Sequence, residues 1–168
     1  PPLEDSFKDF YHFTAEQAHE ATRIYSERYA RLGAYEAEPY EGVFKFLQHL
    51  KDAGKILVLC TSKKIRMAEI VTRHFQLAPY LDYIGARDEE GTIHTKADVI
   101  RHIIKELNIT DKHEIVMIGD RKFDMIGARE VGLDCIGVLY GYGDAAELTA
   151  AGATYLAANY DELERLLL

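Results

Sequence analysis

Apolar residues change their spacing along this chain near Glu38-Pro39. Upstream, residues 3 to 35 read as helix throughout. In AEQAHEATRIYSERYARLG, Ala18, Ala21, Tyr25, Arg28 or Tyr29 and Leu32 recur on one helical face, with Gly33 placed to cap the end. Phe7, Phe10, Tyr11 and Phe13 are expected to form one small helical core rather than a ligand cage, because apolar faces usually pack. Downstream the pattern alternates. Helices are expected over 42–53, 64–76, 96–107, 123–131, 144–150 and 160–168, and short apolar strands over 55–60, 81–85, 115–118, 134–140 and 154–157. Unbroken apolar strands between amphipathic helices imply an α/β fold, with a Rossmann-like parallel sheet sandwiched by helices. The expected division is a helical subdomain over 1–38 and an α/β core over 39–168.

Ligands of such sheets bind at the carboxyl ends of the strands. Three places there carry chemistry. Thr61 and Ser62 follow KILVLC. Asp120 follows EIVMIG, with Asp124 four residues on and Arg121 and Lys122 between. Lys96 opens a helix after RDEEGTIHT. A hydroxyl, free backbone N–H groups and a cation suit a phosphoryl group. Paired carboxylates suit a hard cation such as Mg²⁺. Each residue also has a plainer reading. Thr61 and Asp120 could cap the helices that follow them, Asp124 could be a first-turn acid, and Lys96 could be a solvated lysine. Their order and strand context together favour a site.

Composition narrows the field. Of 168 residues, 29% are charged and the net charge is -8, which argues against general affinity for nucleic acid or an anionic membrane. No apolar stretch approaches the ~20 residues of a membrane span. Cys60 and Cys135 lie inside apolar runs and are expected as buried thiols in a reducing, cytoplasmic compartment. Neither HExxH, CxxC, a Walker loop nor GxSxG is present, and Gly141-Tyr142-Gly143 reads as a turn.

VLCTSK, TKADVIRHIIKELNI and VMIGDRKFDMIGAREVGLDCIGVLYGYG together resemble the haloacid dehalogenase-like hydrolase superfamily, in its phosphoglycolate phosphatase-like branch. The resemblance implies a Mg²⁺-dependent phosphatase that acts on a small phosphorylated metabolite through an aspartyl-phosphate. By position, Thr61 is similar to the hydroxyl that binds the substrate phosphate, with the Ser62 amide nearby. Lys96 resembles the lysine that stabilises nucleophile and phosphate charge, Asp120 a Mg²⁺ ligand, and Asp124 its companion acid. Residues 1–38 resemble the latter part of a helical cap that shapes substrate choice. The family's first motif, DxDG[TV], which supplies the nucleophile, is absent from these residues. The chain is therefore expected to begin inside the cap, to lack the first core strand, to leave two strands facing an unfilled slot, and to be inactive alone. A non-catalytic phosphate- or partner-binding module, and a pyrophosphatase or phosphotransferase of the same superfamily, are the alternatives.

Overall fold

In the computed structural model, which describes residues 3–168, the chain divides into two units between Glu38 and Pro39. The first is α1 (Leu3–Tyr11), α2 (Ala15–Arg31) and a 3₁₀ turn over Gly33–Tyr35. Thr14 starts α2 with a capping box: its hydroxyl accepts from the Gln17 N–H at 3.2 Å, and the Gln17 side chain accepts from the Thr14 N–H at 2.9 Å. The rings of Phe7, Tyr11 and Phe13 pack at 5.8–6.0 Å. Phe10 stays outside this cluster, 73% exposed. Of the expected α2 stripe only Ala18 is buried, because two short helices have little surface to offer each other. Leu32, not Gly33, ends α2, donating to the Arg28 carbonyl. Gly33 serves space instead: a Cβ there would lie 3.0 Å from the Tyr29 ring.

The second unit runs α3 (Val43–Asp52), β1 (Val58–Lys64), α4 (Ile65–His74), β2 (Tyr83–Arg87), α5 (Lys96–Glu106), β3 (Val116–Gly119), α6 (Lys122–Val131), β4 (Asp134–Val138), α7 (Ala145–Ala150), β5 (Tyr155–Ala157) and α8 (Tyr160–Leu167). All strand pairs are parallel. One core gathers Ala97 and Ile100 of α5, Met125 and Ala128 of α6, Met117 of β3 and Cys135 of β4, with Cys60 of β1 against it. A second joins Phe46 and Leu50 of α3 to Ile136 and Val138 of β4 and Leu163 of α8. Helices thus cover strands on two sides, and burial of these apolar stripes drives the fold.

Two features depart from a single regular sheet. Strands pair in two groups, β1-β2 and β3-β4-β5. Among the described residues β1 pairs only with β2, and β3 only with β4. Only β4 has strand partners on both edges among the described residues. Val58 to Thr61 of β1 are half-buried, whereas Cys135 to Val138 of β4 are buried. The second departure is β1 itself, which starts and ends later than the apolar run 55–60. The Leu57 N–H is taken by the Asp82 carboxylate at 2.8 Å, ahead of the ladder. At the other end pairing continues to Lys64↔Arg87 across an irregularity after Cys60. Thr61 and Ser62 therefore sit in a bulge within the strand, not in a loop beyond it.

Candidate functional site

Lys96 is placed by the start of α5. The Thr95 hydroxyl accepts from the Asp98 N–H at 3.1 Å, and the Asp98 carboxylate accepts from the Thr95 N–H at 2.9 Å. This capping box makes Lys96 the first helical residue. Its Nζ donates to the Cys60 carbonyl at 2.9 Å and sits 3.0 Å from Asp124 Oδ1. The two side chains are only 11% and 13% exposed. Lys96 is thus not a solvated lysine, and it ties the middle of β1 to the start of α6. Gly127 makes the approach possible, since a Cβ there would lie 2.7 Å from Lys96 Cγ and 2.8 Å from Lys96 Cβ.

Asp124 also accepts the Arg121 N–H on Oδ2 at 3.2 Å, so it is a first-turn acid of α6 as well as the partner of Lys96. Arg121, not Asp120, occupies the cap position of α6. Asp120 turns toward the loop after β4. Its Oδ2 accepts the Tyr142 N–H at 2.9 Å, and its carbonyl accepts the Gly143 N–H at 2.8 Å. A Cβ on Gly141 would overlap the Asp120 side chain. Gly141-Tyr142-Gly143 is a turn, as its composition suggests, but one shaped to hold Asp120. The sequence signal was available: two glycines flanking one residue, directly after the strand that neighbours the Asp-bearing strand.

Thr61 does not cap α4, whose cap position is Lys64. Its oxygen accepts the Lys63 N–H at 3.2 Å, which leaves the O–H free to donate to a ligand. Ser62 is exposed beside it. Burial pushes the Cys60 thiol up to about 11, against the pull of the Lys96 charge. Both cysteines are free thiols. The structure therefore brings Lys96, Asp124 and the Cys60 carbonyl of β1 together, with Thr61 next to Cys60 in the strand, and sets Asp120 at the end of β3 against the glycine turn.

The side chains of Arg121 and Lys122 have partners outside this cluster. Arg121 Nε donates to Glu147 Oε1 at 2.8 Å, and the Lys122 N–H reaches the same oxygen at 2.9 Å. The Lys122 ammonium lies 5.4 Å from the centre of the Phe123 ring. Glu147 was not singled out by the sequence, since nothing local marks an acid 26 residues from its partner.

Asp120 and Asp124 offer carboxylate oxygens alone. Among the described residues no three of His, Cys, Asp and Glu cluster to bind a metal. Such a donor set does not suit zinc, which takes three or four N, S or O side chains. Carboxylate oxygens are the kind of donor Mg²⁺ takes, one or two of them with several waters; here both oxygens of Asp124 are already engaged, by Lys96 and by the Arg121 N–H. Among the described residues no helix is long and apolar enough to cross a membrane.

A family model described as haloacid dehalogenase-like hydrolase matches residues 1–138. Over 167 residues the chain is 35% identical to a 5'-nucleotidase of Pseudomonas aeruginosa, covering 99% of this chain and 75% of that protein. It is 30% identical over 169 residues to the tyrosine-protein kinase PtkA of Mycobacterium tuberculosis, covering 99% of this chain and 57% of the kinase. A phosphoglycolate phosphatase of Caulobacter vibrioides is 32% identical over 130 residues, 76% of this chain and 54% of that one. The chain thus spans little more than half the length of these last two relatives. Among solved structures, a predicted phosphatase from Clostridium acetobutylicum superposes with a TM-score of 0.92 at 40% identity, covering 99% of this chain and 77% of that one.

Proposed function

The chain belongs to the haloacid dehalogenase-like hydrolase family, and we propose that it is part of a Mg²⁺-dependent phosphatase acting on a small phosphorylated metabolite. The observation that carries this reading is Lys96, an almost buried ammonium held between the Cys60 carbonyl of β1 and the Asp124 carboxylate in the first turn of α6. An ammonium has three donors. Two are committed to Cys60 and Asp124, and the third is left for a phosphate oxygen. The Thr61 O–H and the Ser62 N–H would bind the other oxygens of the same group. Asp120 and Asp124 would hold Mg²⁺, which when bound neutralises charge on the transferring phosphoryl group.

The attacking carboxylate is one that these 168 residues do not contain, since DxDG[TV] is absent. In a protein that carries that motif, the carboxylate would form an aspartyl-phosphate. Residues 3–38 would belong to a helical cap that selects the substrate, and the cytoplasm is the expected compartment. Nucleoside 5'-monophosphates and phosphoglycolate are the first substrates to try, on the strength of the nucleotidase and phosphoglycolate phosphatase relatives. Phosphotransfer to tyrosine, suggested by the kinase relative, is the competing outcome.

The test is phosphate release from a panel of phosphomonoesters by the full-length protein, titrated with Mg²⁺, beside Asp120→Asn. Mg²⁺-dependent release that shifts to much higher Mg²⁺ in the variant is expected. An unchanged titration would sink the Asp120 assignment, and ATP-dependent tyrosine phosphorylation without release would favour the kinase. The 168 residues alone are expected to turn over nothing.

A further inference from the structure

Arg121 poses a problem for a metal site. It carries a permanent positive charge one residue from Asp120 and three from Asp124, and its backbone N–H already touches the Asp124 carboxylate. A guanidinium is a good ligand for carboxylates. Left free, it would compete with any cation for the same oxygens. It is not free. Its Nε is 2.8 Å from Glu147 Oε1, and its Nη2 is 3.5 Å from Oε2. Glu147 is fixed in turn: its own N–H donates to the Asp144 side chain at 2.8 Å, and its Oε1 also takes the Lys122 N–H. Gly143 keeps this corner narrow, as a Cβ there would lie 3.2 Å from Glu147 Oε1 and would overlap the Asp120 carbonyl.

We propose that Glu147 is a positioning residue that sequesters Arg121, so that its guanidinium does not join Lys96 on these carboxylates and Asp120 is left for a divalent cation. The inference rests on the metal reading above and goes beyond it, because it assigns work to a pair that touches neither metal nor substrate.

The experiment is calorimetric titration of the full-length protein with MgCl₂, without substrate, for wild type, Glu147→Gln, Arg121→Gln and the double variant. Glu147→Gln is isosteric and keeps an oxygen for the Lys122 N–H, so the loop remains tied. Its affinity for Mg²⁺ is expected to fall roughly tenfold, the scale of one charge-assisted contact. Arg121→Gln is expected to bind at least as tightly as wild type. The double variant is expected to return to wild-type affinity, because the competitor has gone. Wild-type affinity in Glu147→Gln overturns the proposal. Equal weakening in Glu147→Gln and the double variant also overturns it, since that pattern belongs to a merely structural contact. Asp120→Asn separates the two levels: if wild type binds no Mg²⁺, or Asp120→Asn binds equally well, the metal reading falls and this inference with it.

Discussion

Replacing Gly127 with alanine tests the packing that delivers Lys96 to Asp124. Gly127 lies inside α6. In an exposed helix the change would stabilise by about 1 kcal/mol, the difference in helix propensity. Here the added Cβ would sit 2.7 and 2.8 Å from Lys96 Cγ and Cβ, and 3.2 Å from the Ala97 backbone nitrogen. These atoms are the root of a side chain and the main chain, so they cannot swing aside and α5 must move. Overpacking of this kind costs about 1–3 kcal/mol. Set against the propensity gain, the net expectation is a loss of about 1 kcal/mol. Urea unfolding measures it as a lower midpoint at unchanged slope. Because the strain falls on the first turn of α5, Lys96 should also lose its 3.0 Å contact with Asp124. Inorganic phosphate should then inhibit the full-length enzyme more weakly. A variant stabilised by about 1 kcal/mol would refute the reasoning, since it would mean that α5 and α6 do not approach so closely.

Two further expectations concern stability. The Lys51 ammonium, 2.6 Å away, and the Leu57 N–H hold the Asp82 carboxyl below its ordinary value. The group is partly exposed, so its contribution is about 1 kcal/mol after solvent screening. A carboxyl depressed on folding contributes fully above its unfolded value of about 3.9 and is lost as pH falls through the folded one. Wild type should therefore exceed Asp82→Asn by the same margin at pH 7 and 5, and the margin should shrink below pH 4; a margin that grows on acidification would be decisive against it. The Thr154 hydroxyl accepts the Cys135 N–H at 3.0 Å at the head of β4. Thr154→Val leaves that amide without its acceptor and should cost about 1–3 kcal/mol in thermal or urea unfolding, whereas no measurable loss would mean that water replaces the hydroxyl.

Much of the second unit was legible because its helices and strands obey simple periods. Val99, Ile100 and Ile103 form the buried face of α5 as their spacing requires. The apolar run 134–140 overlaps β4, the most thoroughly buried strand. Where reading by hydropathy failed, backbone partners were the cause. Lys63 and Lys64 look like loop, yet Lys64 pairs with Arg87, because a ladder depends on main-chain groups rather than side-chain polarity. The plain cap readings of Thr61 and Asp120 failed for a similar reason: a hydroxyl or carboxylate before a helix is a possible cap, and only geometry shows which N–H it accepts. The α2 stripe overstated burial, since periodicity marks a face without saying how much surface lies opposite it.

The sequence alone determined the alternation of elements, the family, and the residue types gathered after each strand. These are local facts, set by side-chain period and by short stretches of chain. Tertiary structure decided which of those residues meet. It brought Lys96 to Asp124 through the glycine at position 127, turned Asp120 into the cradle of Gly141 to Gly143, and sent Arg121 to Glu147. Each is a contact between segments far apart in sequence. Its existence depends on the angle and distance at which two packed elements cross, and no local pattern of residues specifies those.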